Sequence, residues 1–195
     1  RFFELTGHKV YILNVASGGA AVTDGGYTTT NTWADNAYGT LRATARVQFE
    51  ALKAHLERQQ LPFEIGGLLW CQGEAEGGRN AAGTVSAQEY TDGTIDVFAF
   101  FRELTDKSDL DVFVSKIGFS MTTLVPGTSA HAGYVAVQEA QESLCRDAAH
   151  VHMAFRLAPT FFDVGYMSDH IHYNQAGYNM MGEALASCAA TTLNI

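Results

Sequence analysis

"EIGGLLWCQGEAEGG", residues 64–78, runs from an apolar stretch straight into a polar, glycine-rich turn. Residues 64–70 have the length and apolar continuity of a strand buried on both faces, the kind that parallel sheets contain. Three other stretches read the same way: "KVYILNVA" (9–16), "DVFVSKIGF" (111–119) and "HVHMAF" (150–155). Helical periodicity lies between them. Residues 37–59 place Leu41, Ala45, Phe49, Leu52 and Leu56 on one stripe, and 86–106 do the same with Tyr90, Thr94, Val97, Phe98, Phe101 and Leu104. Further helices are expected at 131–148 and 175–190. "RFFELTG" (1–7) reads as the tail of another, with Phe2, Phe3 and Leu5 apolar and Gly7 as its left-handed cap. Strands alternating with helices predict an α/β domain whose parallel sheet is covered on both faces.

In such sheets, sites lie beyond the carboxyl ends of the strands. The loops there are "SGGAA" (17–21), "CQGEAEGG" (71–78), "GFSMTT" (118–123) and "SDHIHYN" (168–174). Asp169 and His172 stand three apart, on one side of a single turn. A carboxylate in that position holds one imidazole nitrogen and leaves the other free as a general base; a solvated turn capped by the aspartate is the plainer alternative. Gln72 brings a neutral amide that can donate to a developing oxyanion. Gly18 and Gly19 let backbone N–H groups come close to a ligand, or simply make a tight turn.

Composition narrows the partners. The 195 residues are 47% hydrophobic and 17% charged, ordinary for one globular domain. A net charge of −9 argues against a nucleic-acid backbone and suits a neutral small molecule. Nothing approaches the roughly 18 consecutive apolar residues of a membrane helix, and no signal peptide is visible. Secreted, virion-borne and cytoplasmic settings all fit. The first residue is Arg1, so a processed form or fragment is expected. Cys71, Cys145 and Cys188 show no metal-binding spacing and read as free thiols. A metal site built from His150, His152, His170 and His172 is a minor alternative; the main reading needs neither metal nor cofactor.

Taken together, the blocks resemble the SGNH/GDSL hydrolases, in particular the carbohydrate-esterase branch of sialate O-acetylesterases and acetylxylan esterases. That branch reads Gly-Gln-Ser-Asn, then Gly-Gly-Thr followed by a Trp, then Trp-x-Gln-Gly-Glu, then Asp-x-x-His-Tyr with a glycine before the last helix. Here "SGGA" and Trp33 match the second block, with Ala20 in place of Thr; "WCQGEAE" matches the third, with Glu76 where Asp is frequent; "SDHIHYNQAGY" matches the last. The likeness spans about residues 9–187.

The resemblance implies a three-layer α/β/α sandwich with a flavodoxin-like sheet, strand order 2-1-3-4-5, and removal of O-acetyl groups from a carbohydrate. His172 becomes the general base and Asp169 its orienting partner. Gln72 with the N–H of Gly18 or Gly19 forms the oxyanion hole, Glu74 steadies the loop from behind, and Trp33 either stacks on a sugar or serves only as core. The serine block has no counterpart here. Ser120 in "GFSM" only echoes it and falls in the wrong order, and Ser17 is weaker still. The expectation is therefore a single domain over 1–195 that lacks its first strand. An N-terminal fragment carrying the serine would complete the sheet between 9–16 and 64–70. A non-catalytic carbohydrate-binding or structural domain of the same fold is the alternative.

Overall fold

The computed structural model describes residues 1–24, 31–35 and 40–194. Its sheet has three parallel strands, β1 (Leu68–Trp70), β2 (Val112–Ser115) and β3 (Val151–Phe155), in the order β1-β2-β3. Leu68 to Trp70 run beside Val112 to Val114, which run in turn beside Val151 to Met153. Among the described residues six α-helices accompany them: α1 (Phe2–Thr6), α2 (Leu41–Arg58), α3 (Glu74–Ala81), α4 (Ala87–Thr105), α5 (Ser129–Asp147) and α6 (Gln175–Leu193).

Alternation along the central strand generates the layers. Val112 and Val114 enter a large core with Tyr90, Val97 and Phe98 of α4 and Val137 and Leu144 of α5. Phe113, pointing to the other face, meets Leu185 and Ala189 of α6, with Phe2 of α1 against them. Every residue of β2 is buried, as a strand covered on both sides requires. The result is an α/β/α sandwich.

Local chemistry sets the helix ends. Ser86 and Glu89 form a reciprocal capping box at the start of α4. Asn174 accepts the Gly177 N–H to open α6. Gly7, at φ 73°, ends α1 with its N–H on the Phe3 carbonyl, as the terminal glycine suggested. The stripe expected on 86–106 is buried in full. Helix α2 begins at Leu41; the expected start at 37 lies outside the described residues.

Two expectations fail here. Residues 9–16 form no strand, and Val10, Tyr11 and Ile12 are exposed, Ile12 by 74%. Extended backbone becomes a strand only with a partner, and among the described residues none lies beside it. The outer edge of β1 is likewise unpaired, with Leu69 48% exposed. Nor is "CQGEAEGG" simply a loop, because α3 starts at Glu74. Its glycines are what let it pack: a Cβ at Gly133 of α5 would strike the Gly77 carbonyl, and a Cβ at Gly77 would come within 2.8 Å of the Tyr134 ring. Helices α3 and α5 therefore cross backbone against backbone.

Candidate active site

The four loops singled out in the sequence are tied together in pairs. Loop 17–21 is bound to 71–78 because Gln72 Nε2 donates to the Ala20 carbonyl (3.0 Å) and Val22 N–H donates to Glu76 Oε1 (2.6 Å). Loop 118–123 is bound to 168–174 because Gly118 N–H donates to the Tyr173 hydroxyl (2.9 Å) and Met121 N–H to the His170 carbonyl (2.8 Å). Gln141 of α5 joins the pairs, donating to the Gln72 carbonyl (2.9 Å) and accepting from Ile117 N–H (3.0 Å). A cleft of about 200 Å³ opens between them, lined in part by Cys71, Glu74, Ser115, Lys116 and Tyr173.

Asp169 and His172 meet as their spacing implied. Asp169 Oδ2 lies 2.8 Å from His172 Nδ1, while Oδ1 accepts the N–H groups of Ile171 and His172, each at 2.7 Å. The carboxylate thus builds the turn and orients the ring in one step. Those contacts, the His172 N–H first, then its ring, then the Ile171 N–H, hold the Asp169 carboxyl well below the usual carboxylate range. The His172 side chain is 67% exposed, so the ring edge away from Asp169 opens to solvent.

Gly19 has φ 71°, and Ala20 N–H closes a turn on the Ser17 carbonyl at 3.2 Å. The Gly18 carbonyl is occupied by Asn31 Nδ2 (2.6 Å), and among the described residues no acceptor takes the N–H of Gly18 or Gly19.

Glu74 and Cys71 touch water at the mouth of the cleft and are ringed by protein elsewhere. That partial desolvation raises the Glu74 carboxyl, with the charge of Glu76 adding to it, and pushes the Cys71 thiol up to about 11, with the charge of Glu74 adding to it. Cys71 is consequently a poor nucleophile.

Trp33 and Gln72 do not stand where the resemblance implied. Trp33 is 3% exposed and packed against Trp70 and Phe101, with ring centroids 6.2 and 5.4 Å away. A ring enclosed in the core has no face for a sugar. Gln72 is also buried, and its amide protons go to Ala20 and to Glu76 Oε2 (2.6 Å), leaving none for an oxyanion. Ser120 spends its hydroxyl on Thr122 and Thr123, at 3.1 and 3.3 Å, where it caps a short 3₁₀ turn. Of the histidines weighed as ligands, His150 and His152 instead approach Asp111, at 3.4 and 2.7 Å. Among the described residues no group of three or more His, Cys, Asp or Glu could hold a metal. The sequence marked Glu76 only as a departure from the Asp frequent in the family, with no role attached. A buried acid at the first turn of a helix gives no local signal, and Glu76 stands two residues beyond the Gln-Gly-Glu block, which ends at Glu74.

A parallel α/β/α sandwich with an Asp169–His172 contact just before the last helix is consistent with the class of ester hydrolases built on such sheets. The chain belongs to one family within it: the model of the carbohydrate esterases, sialic acid-specific acetylesterases, matches residues 4–191. No curated protein and no solved structure matches the chain.

Proposed function

We propose that this chain supplies the base and the oxyanion donors of a carbohydrate O-acetylesterase, and that its serine comes from a segment outside the 195 residues. The observation that carries the reading is the 2.8 Å contact between Asp169 and His172, with the far edge of the ring in solvent. In the reaction the serine hydroxyl gives its proton to His172 Nε2 as its oxygen attacks the acetyl carbonyl. The N–H groups of Gly18 and Gly19 face the resulting oxyanion. Collapse expels the sugar hydroxyl, which takes the proton from His172. Water then attacks the acyl-serine by the same route and acetate leaves. Asp169 stays ionised throughout and keeps Nδ1 protonated.

The unpaired edge of β1 and the exposed Val10–Ile12 support a place for the missing strand. Between α1, residues 9–12 and α6 runs a groove of about 590 Å³ bordered by Gly182 and Ala186. An open apolar strand edge is an invitation to pairing, and a strand arriving in the flavodoxin-like order would end at the carboxyl side, beside His172. Small residues on α6 leave room for its side chains.

The test is deacetylation of O-acetylated sialic acid by protein that includes the serine-bearing segment. His172→Ala should reduce kcat by several powers of ten. Undiminished turnover in that variant would remove His172 from the mechanism. Saturable sugar binding without acetate release, in wild-type protein of that length, would establish the non-catalytic alternative.

A further inference from the structure

The geometry points to Glu76 as the positioning residue of the oxyanion turn, an inference that rests on the role given above to Gly18 and Gly19. Glu76 is fully buried, and its oxygens meet donors only. Oε1 accepts Val22 N–H at 2.6 Å and, at 3.3 Å each, the N–H and hydroxyl of Thr23; Oε2 accepts Gln72 Nε2 at 2.6 Å. Arg79 Nη1 braces Thr23 from the far side through its hydroxyl, at 2.6 Å.

The carboxylate also decides which end of the Gln72 amide faces it. Because Nε2 is drawn to Glu76, the same nitrogen reaches the Ala20 carbonyl, and Gln72 Oε1 is left buried without a partner. A buried orphan acceptor costs roughly 1–3 kcal/mol, so a stronger demand must hold the amide in this sense. The charge-assisted bond from Nε2 to Glu76 at 2.6 Å, with the bond to the Ala20 carbonyl beside it, supplies that demand. Ala20 and Val22 are thereby fixed on either side of Ala21, immediately after the Gly18–Gly19 turn. Glu76 touches no substrate in this arrangement. It acts through Gln72 and the Ala20–Thr23 backbone on the direction of two N–H groups.

Glu76→Gln keeps the volume and discards the acceptor pair. If the new amide turns its oxygen to Val22, its NH₂ faces the NH₂ of Gln72. If Gln72 turns over to accept from it, the Ala20 carbonyl loses its donor. Either way the turn is released. Glu76→Asp retains a carboxylate on a shorter stem.

The experiment uses the protein with its serine-bearing segment, read by deacetylation kinetics and by amide NMR of Gly18, Gly19 and Val22. The expected result for Glu76→Gln is a fall in kcat on the order of 10², as for loss of an oxyanion donor, with KM within about twofold. The Gly18 and Gly19 resonances should shift, and Glu76→Asp should recover at least tenfold of the loss. A kcat within about threefold of wild type overturns the inference. So does a drop in kcat and Tm together with unmoved glycine resonances, the pattern of a purely structural residue. Should the wild-type protein release no acetate, the esterase reading fails on its own. The NMR arm then decides by itself whether Glu76 sets the turn.

Discussion

Replacing Asp169 with Asn tests the dyad at the level of a single proton. Oδ1 of Asp169 receives two backbone N–H groups at 2.7 Å, and Oδ2 faces His172 Nδ1 at 2.8 Å. An asparagine must keep its oxygen toward the two N–H donors, because turning its NH₂ that way would oppose both of them. The NH₂ then faces Nδ1. Nδ1 becomes an acceptor, and the neutral ring must carry its proton on Nε2, the atom meant to receive one from serine. The turn survives while the base is disabled. The expected fall in kcat is on the order of 10⁴, the scale seen when a serine protease aspartate is changed in this way, or about 5 kcal/mol of barrier at 1.36 kcal/mol per decade. Imidazole nitrogen NMR of the variant should show the Nε2–H form, and KM for O-acetylated sialic acid should change little. An imidazole still protonated at Nδ1, or a loss in kcat below tenfold, would refute the reasoning.

Three further outcomes follow from burial. Trp33→Ala should cost about 3–5 kcal/mol of stability, as for a large aromatic lost from a core, read by denaturant unfolding; a rise in KM at unchanged stability would restore the sugar-stacking role. Cys71, with its thiol pushed from 9.0 to about 11, should react with iodoacetamide at pH 8 about 100-fold more slowly than a free cysteine, since the thiolate fraction falls tenfold per pKa step. Glu74 is raised by partial desolvation, so the folded protein keeps this proton to higher pH than the unfolded chain. Stability from this group is then complete below the unfolded value of about 4.3 and declines as pH rises through the folded one. Glu74→Gln should accordingly raise Tm at pH 7 and leave it unchanged near pH 3; a lower Tm at pH 7 would contradict the assignment.

What the sequence determined by itself was whatever is decided within a few residues. The Asp169–His172 contact closes inside one turn, so the spacing of three sufficed. The buried stripe of α4 and the glycine cap of α1 are likewise set by helical period and by backbone sterics at one residue. Tertiary structure decided everything that needed a partner from elsewhere in the chain. Gly77 reads as a loop residue because its cost to a helix is local, while the reward, close passage against Gly133, lies more than fifty residues away. Trp33 looked available because no pattern announces that Trp70 and Phe101 will close around it. Gln72 looked free because Ala20, which takes one of its protons, is remote in sequence, and because nothing marks Glu76, four residues on, as buried. Residues 9–16 carry every local mark of a strand and form none. A strand exists only through the hydrogen bonds of a neighbour, and no neighbour among the described residues pairs with it.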